Sequence, residues 1–422
     1  MNAPNEQQQG PSVLDRLDDL QMAEEFAQLS VKLKKRPLVL FFGRTTFADN
    51  SKYLFLRAAS QARGYDVVWC TINGELAAQL HAQNLPCLKL DQDIDLTLDL
   101  LLHAAVVVFT LNPLESVGMS QPMLGCLAGA KQLQLWHGVS VKKLTLQLLG
   151  YLGARAADAR QYWLSSIRAD HVLSTGSHFD PYWREVFGCR HLVRAGMPRN
   201  EVMLRPASEF EFIGAELPER ARKALESGRP AILVVPTWQR GKWTELTGSA
   251  FLAHAVKFAR EHKANIFFKA HPTYFGHWKQ KDQEVEGLHL VDPGLDVYPW
   301  MSRFSALVTD YSSIMFDFLL TGKPVLTLDL NPGDHQSYEP DYSLVPEGDF
   351  RVTYNTETLS SKLKRALFDD KAKDTRLAYA KQVFESDPLT ACDDLLQLID
   401  MLVEQSQQPD FKVWMPSVLS RK

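Results

Sequence analysis

The chain has 422 residues, 45% of them apolar and 23% charged, with a formal net charge of -4 at pH 7. That length exceeds what one hydrophobic core comfortably fills and suits two domains. The charge balance gives no basis for bulk nucleic-acid binding, and the composition is that of an ordinary globular protein.

The first residues, MNAPNEQQQG, are polar. They lack the charged-then-apolar order of a signal peptide and read as a disordered start. Val13 to Arg36 predicts a helix with apolar positions at Leu14, Leu17, Met22, Phe26 and Leu29, ending in Lys32, Lys34, Lys35 and Arg36. Packing on the protein with solvated lysines is the preferred reading; a basic amphipathic segment on anionic lipid is the other.

A first series of strands follows: Pro37 to Phe42, Asp66 to Thr71, Cys87 to Leu90, Ala104 to Thr110 and Lys131 to His137. Helices are predicted over Asp49 to Arg63 and Gly74 to Gln83. Asp91, Asp93 and Asp95 read as a solvated loop rather than a metal site. The most apolar run, Leu96 to Leu111, is interrupted by Asp99 and His103 and is too short to span a bilayer. Five cysteines without short paired spacing argue against a zinc knuckle or disulfide framework. They fit a reducing compartment, so the expectation is a cytoplasmic protein, with peripheral contact at a membrane surface left open.

Residues 205–228 are rich in charge and lack a strand pattern, so they read as a linker. A second series begins at Ala231 to Val235, with a helix over Ser249 to His262 and strands over Ala264 to Lys269 and Leu288 to Val291. Ser305 to Asn331 then reads as a strand–turn–helix–strand unit. Asp310-Tyr311-Ser312-Ser313 places small polar residues where a helix begins, and Gly322 and Pro324 stop it. A helix start presents unpaired N–H groups and attracts phosphate. Helices over Asn355 to Phe368, Asp374 to Glu385 and Thr390 to Glu404 complete the chain, before a polar tail. The predicted divisions are an N-terminal segment 1–36, a domain 37–204, the linker 205–228, a domain 229–404 and the tail 405–422. Strands alternating with helices predict an α/β protein with two doubly wound domains, whose ligands bind beyond the carboxyl ends of the strands.

Several polar clusters fall just after predicted strands. Trp136-His137-Gly138, followed by Lys142 and Lys143, offers an imidazole able to take a proton near neutral pH, beside a glycine that permits close backbone approach. Lys269-Ala270-His271-Pro272 puts a cation and an imidazole at the mouth of the second sheet, both suited to phosphate. Thr237, Trp238 and Arg240 could line the same place. Gly196-Met197-Pro198-Arg199-Asn200 reads as a rigid structural turn, and Asp49-Asn50-Ser51-Lys52 as a helix cap and little more. Each cluster alone has an ordinary structural explanation. No P-loop and no Gly-x-Gly-x-x-Gly after a strand is present.

In order, the segments FFGRTTFADNSKYLF, WHGVSVKKL, VLSTGSHFD, AGMPRNEVML, VVPTWQRG, FKAHP and VTDYSSIMFDFLLTGKPVLTLDL resemble the CDP-glycerol glycerophosphotransferase family, over roughly residues 38 to 350. The resemblance implies a GT-B fold of two Rossmann-like domains facing a central cleft, with the nucleotide held mainly by the second. It implies that His137 is the general base for an acceptor hydroxyl, and that His271, Ser312 and Ser313 contact the donor pyrophosphate, with Lys269 and Arg240 beside them. Asp317 takes the nucleotide ribose, and Gly138, Thr237, Trp238, Asp310 and Tyr311 line the site. It implies a CDP-linked alditol donor, a polymer or lipid-linked acceptor, and neither a cofactor nor a metal. Departures from the family pattern are Val139-Ser140 for threonine-proline, Gln239 for an arginine, and Lys269-Ala270 for arginine-proline. They leave the transferred group open among glycerol phosphate, ribitol phosphate and a sugar moved by a GT-B glycosyltransferase.

Overall fold

The computed structural model describes residues 13–141, 169–237, 249–269, 285–328 and 340–407. The first sheet contains β1 (Leu38–Phe42), β2 (Asp66–Thr71), β3 (Cys87–Lys89), β4 (Val106–Phe109), β5 (Lys131–Gln134), β6 (His171–Ser174) and β7 (His191–Arg194). Its order is β3-β2-β1-β4-β5-β6-β7, with every pairing parallel. All five residues of β1 and all four of β4 are buried, because helices cover both faces of a parallel sheet. These are the runs that read as unbroken apolar segments. The sequence reading omitted β6 and β7, whose first residues are histidines and whose last strand is a half-exposed edge.

The second sheet contains β8 (Ala231–Val235), β9 (Asn265–Phe268), β10 (Leu288–Leu290), β11 (Ala306–Thr309), β12 (Val325–Leu328) and β13 (Val352–Tyr354). Its order is β10-β9-β8-β11-β12-β13, again parallel throughout. In each sheet the strand order reverses at its first strand, next to β4 in one and β11 in the other. Loops leaving such strands part in opposite directions and open a crevice.

The predicted boundaries need correction at the ends. The last helix, Ala391–Ser406, was expected in the second domain but packs on the first. Arg63 donates to Asp400 at 2.7 Å, Tyr65 to the same carboxylate at 2.9 Å, and the Cys392 amide to Glu201 at 2.6 Å. The crossing is tied where Glu385 accepts from the Ser177 amide and hydroxyl at 2.8 and 2.5 Å. Within the expected linker, Glu219–Leu225 is helical, and the Glu211 and Ile213 carbonyls are gripped by Lys52, each at 2.8 Å.

The N-terminal helix, Val13–Lys32, lies on the helix Gln121–Cys126. A Cβ at Gly125 would collide with the Ala23 carbonyl oxygen, and glycine is what allows that approach. Lys32 and Lys34 are exposed as expected, but Lys35 is buried. Its ammonium donates to Leu102 O at 2.7 Å and Ser30 Oγ at 3.0 Å. Leu102 lies in the last turn of the helix Ile94–His103, where exposed carbonyls favour a cation. Burial lowers the Lys35 pKa to about 8. That helix was itself missed; Asp93, expected in a solvated loop, caps it by accepting from Leu96 N at 3.0 Å. Among the described residues, no helix is long and apolar enough to cross a membrane.

Candidate active site

The carboxyl ends of the two sheets enclose a cavity of about 750 Å³ lined by both domains. The first contributes Arg44, His137, Gly138 and Arg199; the second contributes Thr237, Lys269, Tyr311, Ser312 and Ser313.

His137 follows β5 and is half-buried. Its backbone is held on both sides. Trp136 adopts φ 53, the left-handed region, at an ordinary cost of about 1–3 kcal/mol for a bulky residue. Asn50 donates to Trp136 O at 2.8 Å, Trp136 N donates to Gln134 Oε1 at 2.9 Å, and Arg199 Nη1 donates to His137 O at 2.8 Å. These bonds offset the strain and leave the imidazole against the indole, ring centroids 4.2 Å apart and planes tilted by 35°.

Gly138, at φ 140, touches the second domain directly. A Cβ there would lie 2.5 Å from Ser313 Oγ and 2.9 Å from Arg199 Nη2. Ser313 occupies the cap position of the helix Ile314–Leu319 but makes no side-chain capping bond. Its hydroxyl is therefore not spent on the helix, contrary to the simplest reading of that turn, and lies against Gly138 at the cavity.

Other expected site residues divide. Asp310 is fully buried and does not line the cavity. It accepts from Thr237 N at 2.9 Å, from the Thr237 hydroxyl and from Tyr311 N at 2.7 Å, tying the end of β8 to the end of β11. Its place is the scaffold, while Thr237 and Tyr311 do reach the wall. Lys269 reaches it too, its ammonium donating to Pro293 O. Burial, with the like charge of Arg44 added, lowers its pKa to about 8. The assignment of Asp317 to a nucleotide ribose is corrected. Its carboxylate is fully buried, accepting from Arg199 Nη2 at 2.6 Å and the Tyr298 hydroxyl at 2.7 Å. Both bonds fall on Oδ2, while Oδ1 is buried without a hydrogen-bond partner among the described residues, and Asp317 is absent from the cavity lining. His271, Trp238 and Arg240 lie outside the described residues, as do Lys142 and Lys143.

Sequence reasoning missed the group at the centre. Arg199, read as part of a structural turn, is buried beneath the cavity and binds Asp49 at 2.7 Å as well as Asp317. Burial opposes its charge, but Asp317, Tyr298 and Asp49 outweigh that and raise its pKa above the usual value. Burial would push Asp49 up, yet Arg199 and Arg44 hold it below the ordinary carboxylate range. For Asp317 burial prevails and its pKa is raised, with Arg199 offsetting part of the cost. One signal was available. Arg199 stands in the first turn of the helix Pro198–Leu204, where a cation opposes the helix dipole and needs a compensating anion. Beside this cluster, Lys52 is fully buried and paired with Asp296 at 2.9 Å, and Tyr53 donates to the same carboxylate at 2.6 Å. Among the described residues, no group of three or more His, Cys, Asp or Glu side chains is placed to hold a metal ion.

Comparison with known proteins follows the same lines. The teichoic acid glycerol-phosphate transferase of Staphylococcus aureus (strain NCTC 8325 / PS 47) is 24% identical over 201 residues, 46% of this chain and 50% of that protein. Teichoic acid ribitol-phosphate polymerase TarK of the same strain is 23% identical over 231 residues, 51% of this chain and 42% of that one. The chain thus spans half or less of the length of these curated relatives. The wall teichoic acid polymerase TagF superposes with a TM-score of 0.67 at 16% identity, covering 94% of this chain and 96% of that one. UDP-GlcNAc 2-epimerase from Neisseria meningitidis superposes at 0.51 with 12% identity, covering 86% and 99%. Both likenesses show the shared GT-B fold. Residues 25–394 match the profile described as CDP-Glycerol:Poly(glycerophosphate) glycerophosphotransferase, and the chain belongs to that family.

Proposed function

We propose that the protein transfers a glycerol-phosphate or ribitol-phosphate unit from a CDP-alditol to a hydroxyl of a teichoic-acid-like acceptor, releasing CMP. The observation that carries this reading is the contact between Gly138 and Ser313, which puts the His137 loop and the hydroxyl-bearing turn on one cavity.

The acceptor oxygen attacks the β-phosphorus of the donor while His137 takes its proton. A new phosphorus–oxygen bond forms to the acceptor, the bond to the bridging oxygen breaks, and CMP leaves with both bonding electrons. Such a displacement depends on in-line positioning and charge neutralisation more than on covalent help. Ser312, Ser313 and the cation of Lys269 supply donors to the pyrophosphate, and His271 and Arg240 are assigned to the same anion. Arg44 is a further cation on the cavity wall.

The acceptor on this reading is a polymer or a lipid-linked alditol phosphate, met by a cytoplasmic protein at the inner membrane face. The exposed side chains of Leu17, Leu20 and Met22 on the N-terminal helix support contact with an apolar surface. Failure to co-sediment with anionic vesicles would remove the membrane from the account.

Purified protein with CDP-glycerol or CDP-ribitol and a short alditol-phosphate acceptor tests the chemistry. CMP release is expected, with the donor phosphate found in the new bond by mass spectrometry. Release of UMP or UDP from a nucleotide sugar instead would replace this reading with sugar transfer. Substituting His271 by alanine is expected to lower turnover by ~10²-fold, the ordinary size of a general acid–base or charge-stabilising contribution.

A further inference from the structure

We propose that Arg199 is a positioning residue, which sets the register of the His137 loop in one domain against the Ser313 turn in the other. The inference rests on the function proposed above and goes beyond it by assigning the element that aligns the two halves of the site.

The geometry is a single buried fork reaching three ways. Nη1 donates to Asp49 Oδ1 at 2.7 Å and to His137 O at 2.8 Å. Nη2 donates to Asp317 Oδ2 at 2.6 Å. Asp49 opens the helix Asn50–Ala59 of the first domain, and Asp317 lies on the helix that begins after Ser313 in the second. The guanidinium therefore touches the main chain of the candidate base and the helix that carries the candidate phosphate contact. The Tyr298 ring closes one face of the fork at 4.7 Å, and its hydroxyl takes a share of Asp317. Asp49 itself adopts φ 78 and also receives Arg44 Nε at 3.1 Å.

The planar fork is what makes the arrangement directional. Lysine keeps the charge as a point donor but cannot span two carboxylates and a carbonyl in fixed geometry. A loss of register of about 1 Å between base and phosphate is enough to cost ~10²-fold in rate. Arg199, whose side chain is 3% exposed at the cavity wall, needs no contact with substrate to produce this effect.

The test compares wild type, Arg199→Lys and Asp317→Asn in the full chain. Each is assayed for CMP release from CDP-glycerol and for CDP affinity by calorimetry. The expectation is a fall in kcat of ~10²-fold in Arg199→Lys, with KM for the donor and Kd for CDP within ~3-fold. Asp317→Asn should lower kcat in the same manner, and the double variant should be no slower than the slower single one. Retained kcat in Arg199→Lys would overturn the assignment. So would a parallel loss of CDP binding, which marks a merely structural residue. Wild type that binds CDP but releases no CMP would instead sink the proposed function. Register would then be read from crystal structures of the unliganded proteins, where an unchanged placement of His137 against Ser313 in Arg199→Lys overturns the inference.

Discussion

Gly138 and Ser313 are in contact across the two domains: a Cβ on the glycine would come within 2.5 Å of the serine hydroxyl. One residue follows the candidate base and the other opens the candidate anion site. The closeness of the two domains at this point decides whether an acceptor oxygen and a donor phosphorus can meet.

Gly138→Ala therefore tests the contact. At φ 140 any side chain is strained, and here it also meets Ser313 and Arg199. Relief requires the Ser313 hydroxyl and the Arg199 fork to shift out of their places. Turnover is expected to fall by ~10²-fold. Stability should drop by about 1–3 kcal/mol, measured by thermal unfolding. Wild-type turnover in this variant would mean that the placement of the Ser313 hydroxyl and the Arg199 fork against Gly138 does not matter to the reaction.

Lys52→Met tests the neighbouring pair. The side chains of Lys52 and Asp296 are 0% and 1% exposed, and removing the lysine leaves the carboxylate buried with the Tyr53 hydroxyl and the Tyr298 amide as its neutral donors. A loss of about 3–5 kcal/mol is expected in urea denaturation. A change below 1 kcal/mol in that experiment, on the order of an exposed pair, would contradict the burial.

Lys269 gives a pH dependence whose sign can be worked out. Burial, then the like charge of Arg44, lowers its pKa from 10.5 to about 8, against weaker support from Asp296 and Asp292. Between about 8 and 10.5 the unfolded chain holds the extra proton. This group's contribution to stability therefore rises with pH across that window. The site cation moves the opposite way and is lost above about 8. CDP affinity should decline as pH rises from about 7 to 9, and Lys269→Met should flatten that decline. Equal slopes in the two proteins would remove Lys269 from the anion site.

Gly125→Ala tests the seating of the N-terminal helix. The added methyl would meet the Ala23 carbonyl, and a short side chain on a packed helix has no alternative rotamer. Faster proteolysis within the first helix is expected, with a loss of about 1–3 kcal/mol. Unchanged protection would show that this helix is not held through Gly125.

The sequence made the central strands legible because β1, β4, β8 and β11 are buried on both faces and written as unbroken apolar runs. It did not reveal β7, an edge strand bounded by His191 and Arg194, since half-exposed strands mix polar and apolar residues. His137, Gly138, Ser312 and Ser313 were legible because they stand just after strands, where ligands bind in such sheets. Arg199 and Asp317 were misread for one physical reason. Their bond joins residues 118 apart in the chain, and Arg199 reaches Asp49 across 150. Local pattern reports burial and periodicity, while an ion pair between domains depends on topology. Lys35 and the last helix were misplaced in the same way: their partners, Leu102 O in one case and Glu201, Arg57 and Arg63 in the other, are distant in sequence.

The most direct test of the account is CMP release by wild type and His137→Ala, assayed with CDP-glycerol or CDP-ribitol and a short alditol-phosphate acceptor, alongside CDP affinity. The account predicts release by wild type, slowed by ~10²-fold in the variant with CDP binding retained. Turnover by His137→Ala equal to that of wild type would contradict it.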